Sequence, residues 1–168
     1  MSLLALDLGT SLGWALDGET IVHGTTRLDG SCTAEKMHAF RMALSQLLSV
    51  GEPWTIYYER PHAHGGFARD IVYGQQGILL ARCWPDIPAH RVPANTLKKW
   101  ATGSGRAGKL AMLAMAHTIA GRQDCKLAGN TVTKPPFCEC ELGATMGMDA
   151  ADATCLLGYG RAMEAKRG

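Results

Sequence analysis

Four carboxylates lie within or next to apolar segments, and they restrict the folds open to this chain more than any other feature. Asp7 lies inside the apolar run Leu3–Leu8, and Glu59 ends a second strand-like run. Asp149 and Asp152 are three residues apart in an alanine-rich segment that is typical of a helix, where this spacing gives one face. Burying an unpaired carboxylate is costly. We therefore expect all four to converge at one end of a sheet.

Carboxylates that converge repel one another, and divalent cations relieve this repulsion. Oxygen-rich sites of this kind suit Mg²⁺ or Mn²⁺, and paired ions of this type cut phosphodiester bonds. The pattern therefore predicts a metal site for phosphodiester hydrolysis, built from Asp7, Glu59, Asp149 and Asp152.

The distribution of charge says more than the net charge. The net charge of the 168 residues is only +2, and 46% of the residues are hydrophobic, which excludes a disordered chain. No Asp or Glu occurs from Ile87 to Gln123. The basic residues of this stretch are Arg91, Lys98, Lys99, Arg106, Lys109 and Arg122. This one-sign stretch predicts a phosphate-binding surface.

The cysteines and the N-terminus indicate a cytoplasmic protein with reduced thiols. Six cysteines are dispersed, and no segment has the features of a signal peptide or the length of a membrane span. Cys125, Cys138 and Cys140, with His117, raise the question of a structural zinc. Their spacing lacks the paired C-x2-C clusters of zinc sites, so reduced loop thiols are the preferred interpretation.

Hydrophobic periodicity predicts an antiparallel meander of three strands, followed by alternating helices and strands. The predicted strands cover 2–8, 14–16, 20–28, 54–59 and 90–92, and the predicted helices cover 34–50, 69–84, 96–100, 107–120 and 149–163. Thr33 and Asn95 are the expected N-caps of two helices. We expect one α/β domain over 1–168, with a mixed five-stranded sheet, helices on both faces and an irregular insertion over 122–148.

Four segments, in this order, resemble the RuvC-type Holliday junction resolvases of the RNase H-like fold. They are Ala5–Thr10 with Gly13–Ala15, Tyr57–Glu59 with Gln76–Gly77 and Leu80–Ala81, Leu97–Lys99 with Thr102–Lys109, and Asp149–Ala153. The resemblance covers nearly the whole chain. It implies an RNase H-like nuclease that resolves Holliday junctions and related branched DNA by paired nicks, acting as a homodimer without a nucleotide cofactor. The small size suggests a phage-type member, and the long segment 122–148 departs from the family pattern.

The same resemblance implies roles for individual residues. Asp7, Glu59, Asp149 and Asp152 would be the ligands of two Mg²⁺ or Mn²⁺ ions. Lys109, after a glycine-rich turn that lacks P-loop spacing, is the expected catalytic cation. The predicted DNA-binding residues are Phe67, Arg69, Lys98, Lys99, Arg106 and Lys109. Phe67 is the candidate for stacking on a base at the junction centre, whereas His62 and His64 are interpreted as exposed loop residues.

Three other functions remain open from the sequence. An RNase H-type nuclease acting on RNA–DNA hybrids would use the same carboxylates. A DNA-junction binding module without catalysis would not need all four. The segment Asp7–Ser11 also resembles the first phosphate loop of sugar kinases and heat-shock-type ATPases, but 168 residues are too few for both lobes of such a protein.

Overall fold

The computed structural model describes residues 2–51, 55–60, 66–121, 126–128, 137–139 and 147–168. Within these residues the chain forms β1 (Leu3–Asp7), β2 (Ser11–Leu16), β3 (Val22–Arg27), α1 (Thr33–Gly51), β4 (Thr55–Glu59), α2 (Phe67–Cys83), β5 (Ala89–Val92), α3 (Ala94–Thr102), α4 (Lys109–Ile119), β6 (Lys126–Ala128), β7 (Phe137–Glu139) and α5 (Met148–Glu164).

A mixed five-stranded sheet with the order β3-β2-β1-β4-β5 forms the centre of the fold. The strands β1, β2 and β3 pair antiparallel as the predicted meander, whereas β4 pairs parallel with both β1 and β5. Leu6 pairs with Tyr58, so Asp7 and Glu59 are the next residues on neighbouring parallel strands. Both carboxylates therefore lie at the carboxyl edge of the sheet, where open α/β sheets place their sites.

The two faces of the sheet carry different helices. Leu3, Ala5 and Tyr57 pack in a core with residues of α3, α4 and α5, whereas Leu4 and Tyr58 pack on the other face with residues of α1 and α2. Side chains alternate along a strand. Asp7 and Glu59 therefore project towards the face that α5 covers, and the predicted arrangement of helices on both faces is confirmed.

Helix α5 lies unusually close to the sheet because small residues line its inner side. A Cβ atom added at Gly13 would lie 2.1 Å from the carbonyl oxygen of Asp149, and one added at Gly160 would lie 2.7 Å from the ring of Tyr57. At the far end of α5, the Tyr57 hydroxyl donates a hydrogen bond of 2.6 Å to Glu164. These contacts fix the helix, and with it the acids of its first turn, against β1, β2 and β4.

Several predicted boundaries differ from the structure. β2 begins at Ser11 instead of 14, because Gly13 belongs to the strand and pairs with Asp7. Asn95 lies inside α3 and is not its N-cap, since that helix begins at Ala94 after Pro93. Thr33 is likewise the first residue of α1. The start of β2 was therefore missed by three residues, and the two helix starts by one or two residues, as is common at helix ends.

The segment predicted to be irregular contains an antiparallel pair of strands, β6 and β7. Each has three residues, which is shorter than the four to eight residues from which a strand pattern is recognised. The side chains of Cys125, Cys138 and Cys140 lie outside the described part of the chain, as do His62 and His64, so those interpretations stay predictions. Among the described helices, none is long and apolar enough to cross a membrane.

Candidate active site

Asp7 and Glu59 form the strand half of the candidate site. Burial raises the pKa of Asp7 well above its ordinary value, and the charges of Asp152, Glu59 and Asp149 raise it further. Burial, followed by the charge of Asp152, raises the pKa of Glu59 to about 7. The two carboxylates are thus held in a poorly solvated place where their negative charges add up.

Asp149 and Asp152 form the helix half of the site, on the first turns of α5. Burial is the main cause that raises the pKa of both residues, and the pKa of Asp152 reaches about 6. The charge of Asp149 contributes to the raised pKa of Asp152. The structure therefore brings all four sequence-predicted carboxylates into one electrostatically coupled group.

Two lysines oppose this negative charge. Lys98, half-buried on α3, lowers the pKa of Glu59 and of Asp152 against the effect of burial. Lys109, the first residue of α4, acts in the same direction on Asp149 and Asp152. The charges of both lysines therefore act on the carboxylate group.

The donor set fits hard divalent cations, because these ions prefer oxygen ligands and because a bound cation would offset the burial and the mutual repulsion that raise the pKa values of these carboxylates. In the part of the chain that the structure describes, however, no three His, Cys, Asp or Glu side chains are grouped closely enough to hold one ion. In the present rotamers the carboxylates therefore interact only through their charges. To bind one ion together, their side chains would have to adopt rotamers that bring the carboxylate oxygens closer to one another.

The start of α2 carries two of the predicted DNA contacts. Phe67 is the first residue of this helix, whereas the sequence predicted that it lies within a loop. Its side chain is 50% exposed. Gly66 before it has a φ of 86°, a conformation that favours glycine. Arg69 makes a 3.7 Å ion pair with Asp70 in which both side chains are more than half exposed, a type of pair that contributes little stability. Both residues are thus accessible from solvent.

The exposed side of α3 and the turn after it carry the remaining predicted contacts, and Trp100 lies beside one of them. Lys99 lines a shallow groove with Asn95, Thr96 and Trp100. Trp100 is 37% exposed, and its ring packs edge-on against Tyr159 at 5.8 Å. An aromatic residue directly after two lysines in an acid-free stretch fits a nucleic-acid surface, a pattern that the sequence analysis did not use. Arg106 is exposed on the following turn.

Gly13 is the other residue that the sequence analysis did not single out as important for the site. It pairs with Asp7 across β1 and β2, and its missing side chain leaves room for the backbone of Asp149. A glycine inside a strand pattern often marks such a close approach. Gly13 directly precedes the predicted strand that begins at Trp14, and this position was the signal available in the sequence.

The sheet and helices together form a mixed α/β arrangement, as predicted. A scan of protein-family models and a search of curated proteins both find no match.

Among solved structures, RuvC of Thermus thermophilus superposes with a TM-score of 0.69 at 16% identity, covering 97% of each chain. RuvC of the same organism in complex with a Holliday junction substrate gives 0.69 at 17% identity, covering 97% of this chain and 96% of that one. The yeast mitochondrial Holliday junction resolvase Ydc2 gives 0.59 at 13% identity, covering 92% of this chain and 75% of that one. These three structures are Holliday junction resolvases, and the likeness to them shows that the chain has the predicted RNase H-like α/β fold.

Proposed function

We propose that the protein is a metal-dependent, structure-selective endonuclease that resolves Holliday junctions and related branched DNA by paired nicks. The observation that carries this proposal is the convergence of Asp7, Glu59, Asp149 and Asp152 on one side of the sheet, with raised pKa values. The structural likeness to RuvC, of which one structure holds a Holliday junction substrate, supports branched DNA as the ligand.

Some of the chain's own residues would stabilise charge in the reaction, and others would position the DNA. Mg²⁺ or Mn²⁺, two ions held by the four carboxylates, would activate the attacking water and stabilise the leaving 3′ oxygen. Lys109 would stabilise negative charge that develops on the phosphate, and Lys98 would hold that phosphate beside Glu59 and Asp152. Phe67 would stack on a base exposed at the centre of a junction.

The basic side of the molecule would hold the DNA arms. Lys99 and Arg106 are exposed on α3 and on the turn after it, and the residues from 87 to 121 contain no carboxylate. Contacts of this kind position the backbone without reading sequence. Arg69 would add a further phosphate contact near Phe67.

We further propose a homodimer that is formed through α2, with two sites suited to paired nicks on a symmetric junction. Tyr73 is 52% exposed, Leu80 40% and Trp84 82% on this helix and just after it. Leu80 and Trp84 also line an apolar groove of about 760 Å³ next to Pro85. A second copy would cover apolar surface that a monomer leaves in water.

A cytoplasmic setting is part of the proposal. Cys83 and Cys155 are buried free thiols and Cys32 is an exposed one, so the described cysteines form no disulfide with one another. Free thiols persist in reducing compartments.

The decisive experiment is cleavage of a synthetic four-way DNA junction, with linear duplex as the substrate control. Wild type is compared with Asp7→Asn in Mg²⁺, in Mn²⁺ and in EDTA. Asp29→Asn is the matched control, because Asp29 is highly exposed in an ion pair with Arg27 and is not one of the four carboxylates. We expect paired nicks that need the metal and that disappear only in Asp7→Asn.

Each other outcome selects a different function. Tight junction binding without cutting in any metal would indicate a binding module. Faster cutting of RNA–DNA hybrids than of junctions would indicate an RNase H-type nuclease, which the same carboxylates can serve. Binding of ATP, measured by calorimetry, with no nuclease activity would indicate an ATPase-type domain.

A further inference from the structure

Helix α2 presents two consecutive glutamines to the back of the candidate site. Gln75 is fully buried, and its Nε2 donates a hydrogen bond of 2.7 Å to the carbonyl oxygen of Gly9. Gly9 lies two residues after Asp7, at the turn that leads from β1 into β2. The amide of Gln75 thus fixes the backbone immediately beyond the first carboxylate.

Gln76 makes the corresponding contact with the second carboxylate strand. Its Nε2 donates a 3.4 Å hydrogen bond to the hydroxyl of Tyr58, which is only 3% exposed. Tyr58 directly precedes Glu59 on β4, and its side chain lies on the α2 side of the sheet. Because β1 and β4 are neighbours, the two glutamines hold adjacent strand ends through one rigid helix.

Packing alone does not account for this pair. The Oε1 atoms of both glutamines are buried, and neither has a hydrogen-bond partner among the described residues. A buried acceptor without a partner lowers stability, and an apolar side chain of the same length would avoid that cost. Polar groups retained against stability are expected where function needs them.

We propose that Gln75 and Gln76 are positioning residues that set the separation of the Asp7 and Glu59 carboxylates from the opposite face of the sheet. The inference rests on the proposed function, since that function gives the separation its importance. Gln75 has the larger role because its hydrogen bond is shorter and acts on the main chain of the turn, whereas Gln76 acts through a side-chain hydroxyl.

The test replaces Gln75 by methionine, which keeps the length of the side chain and removes both the donor and the buried acceptor. We expect a melting temperature close to that of wild type, because the two effects on stability oppose each other. Calorimetric titration with Mn²⁺ should show roughly 10-fold weaker binding or more, the usual effect of removing a group that orients ligands. Single-turnover junction cleavage should fall by roughly 10-fold to 100-fold with the junction Kd unchanged.

Two further variants keep the test decisive. Gln76→Met loses a longer hydrogen bond and should therefore show smaller losses of Mn²⁺ affinity and of cleavage rate. This variant replaces Gln75→Met in the test if Gln75→Met does not fold. Gln46→Met makes the same chemical change on the exposed side of α1 and should behave as wild type in every assay.

The possible outcomes separate the positioning role from the proposed function. If folded Gln75→Met binds Mn²⁺ and cuts junctions as wild type does, or loses activity only in proportion to its folded fraction, the positioning role is wrong and the nuclease proposal stands. If Mn²⁺ binding weakens in the variant but wild type cuts no junction, the positioning role is supported and junction resolution is wrong. If wild type binds no Mn²⁺, both are overturned.

Discussion

Replacing Gly13 by alanine tests how the two halves of the candidate site are held together. The new Cβ would lie 2.1 Å from the carbonyl oxygen and 2.4 Å from the carbonyl carbon of Asp149, whereas Cβ contacts under 3.0 Å essentially do not occur. Both obstacles are main-chain atoms, so a side-chain rotation cannot relieve the clash. The first turn of α5 must therefore move away from β2 by about 1 Å, because packed interiors hold no spare volume.

This displacement has a cost in stability and a larger cost in activity. Overpacking of a close contact costs about 1–3 kcal/mol of folding free energy. The same shift carries Asp149 and Asp152 away from Asp7, and a misplacement of about 1 Å in a catalytic group lowers a rate by roughly 100-fold. Such a loss corresponds to about 2.7 kcal/mol of transition-state stabilisation.

The assay compares single-turnover junction cleavage with urea unfolding for Gly13→Ala and for a control in the same hairpin. Gly18 is suitable because its Cβ would meet only the carbonyl oxygen of Thr20, at an ordinary distance of 3.4 Å. Gly18→Ala should keep the wild-type rate and change stability by less than about 0.5 kcal/mol. If Gly13→Ala cuts junctions at the wild-type rate, then the close approach of α5 does not set the positions of its acids, and the reasoning is refuted.

Three further predictions concern single side chains of the site. Phe67→Ala should slow junction cleavage while leaving the melting temperature and Mn²⁺ binding unchanged, and an unaltered cleavage rate would remove Phe67 from the mechanism. Lys109→Ala should lower the single-turnover rate more than junction affinity, and a loss confined to affinity would make Lys109 a positioning contact only. Glu59→Gln should stabilise the metal-free protein in EDTA by up to roughly 3 kcal/mol at pH 8, because a pKa raised from 4.5 to about 7 in the folded state costs stability. Because the pKa of Glu59 is raised in the folded state, its contribution to the stability of wild type is fully present below pH 4.5. That contribution is lost as the pH rises through about 7. The gain in the variant, followed by urea unfolding, should therefore disappear in acid, and a gain independent of pH would contradict the assignment.

Local patterns in the sequence were sufficient for the order of the main elements and for the candidate acids. The apolar runs that carry Asp7 and Glu59 predicted buried strands, and the sheet confirms those strands. The spacing of three positions from Asp149 to Asp152 predicted that both lie on one side of a helix. These inferences succeeded because they depend only on residues that are neighbours in sequence.

Contacts between distant segments were decided only by the tertiary structure. Lys98 and Lys99 are equivalent in the sequence, but burial of Leu97 and Ala101 sets the rotation of α3 so that Lys98 is half-buried and acts on Glu59 and Asp152, while Lys99 is exposed. The hydrogen bond from Gln75 to Gly9 joins residues that are 66 positions apart, and no local sequence pattern predicts it. The sequence by itself determined which side chains are candidates for the chemistry. The packing of helices on both faces of the sheet decided which of them meet, because that packing depends on shape and volume between segments far apart in the chain.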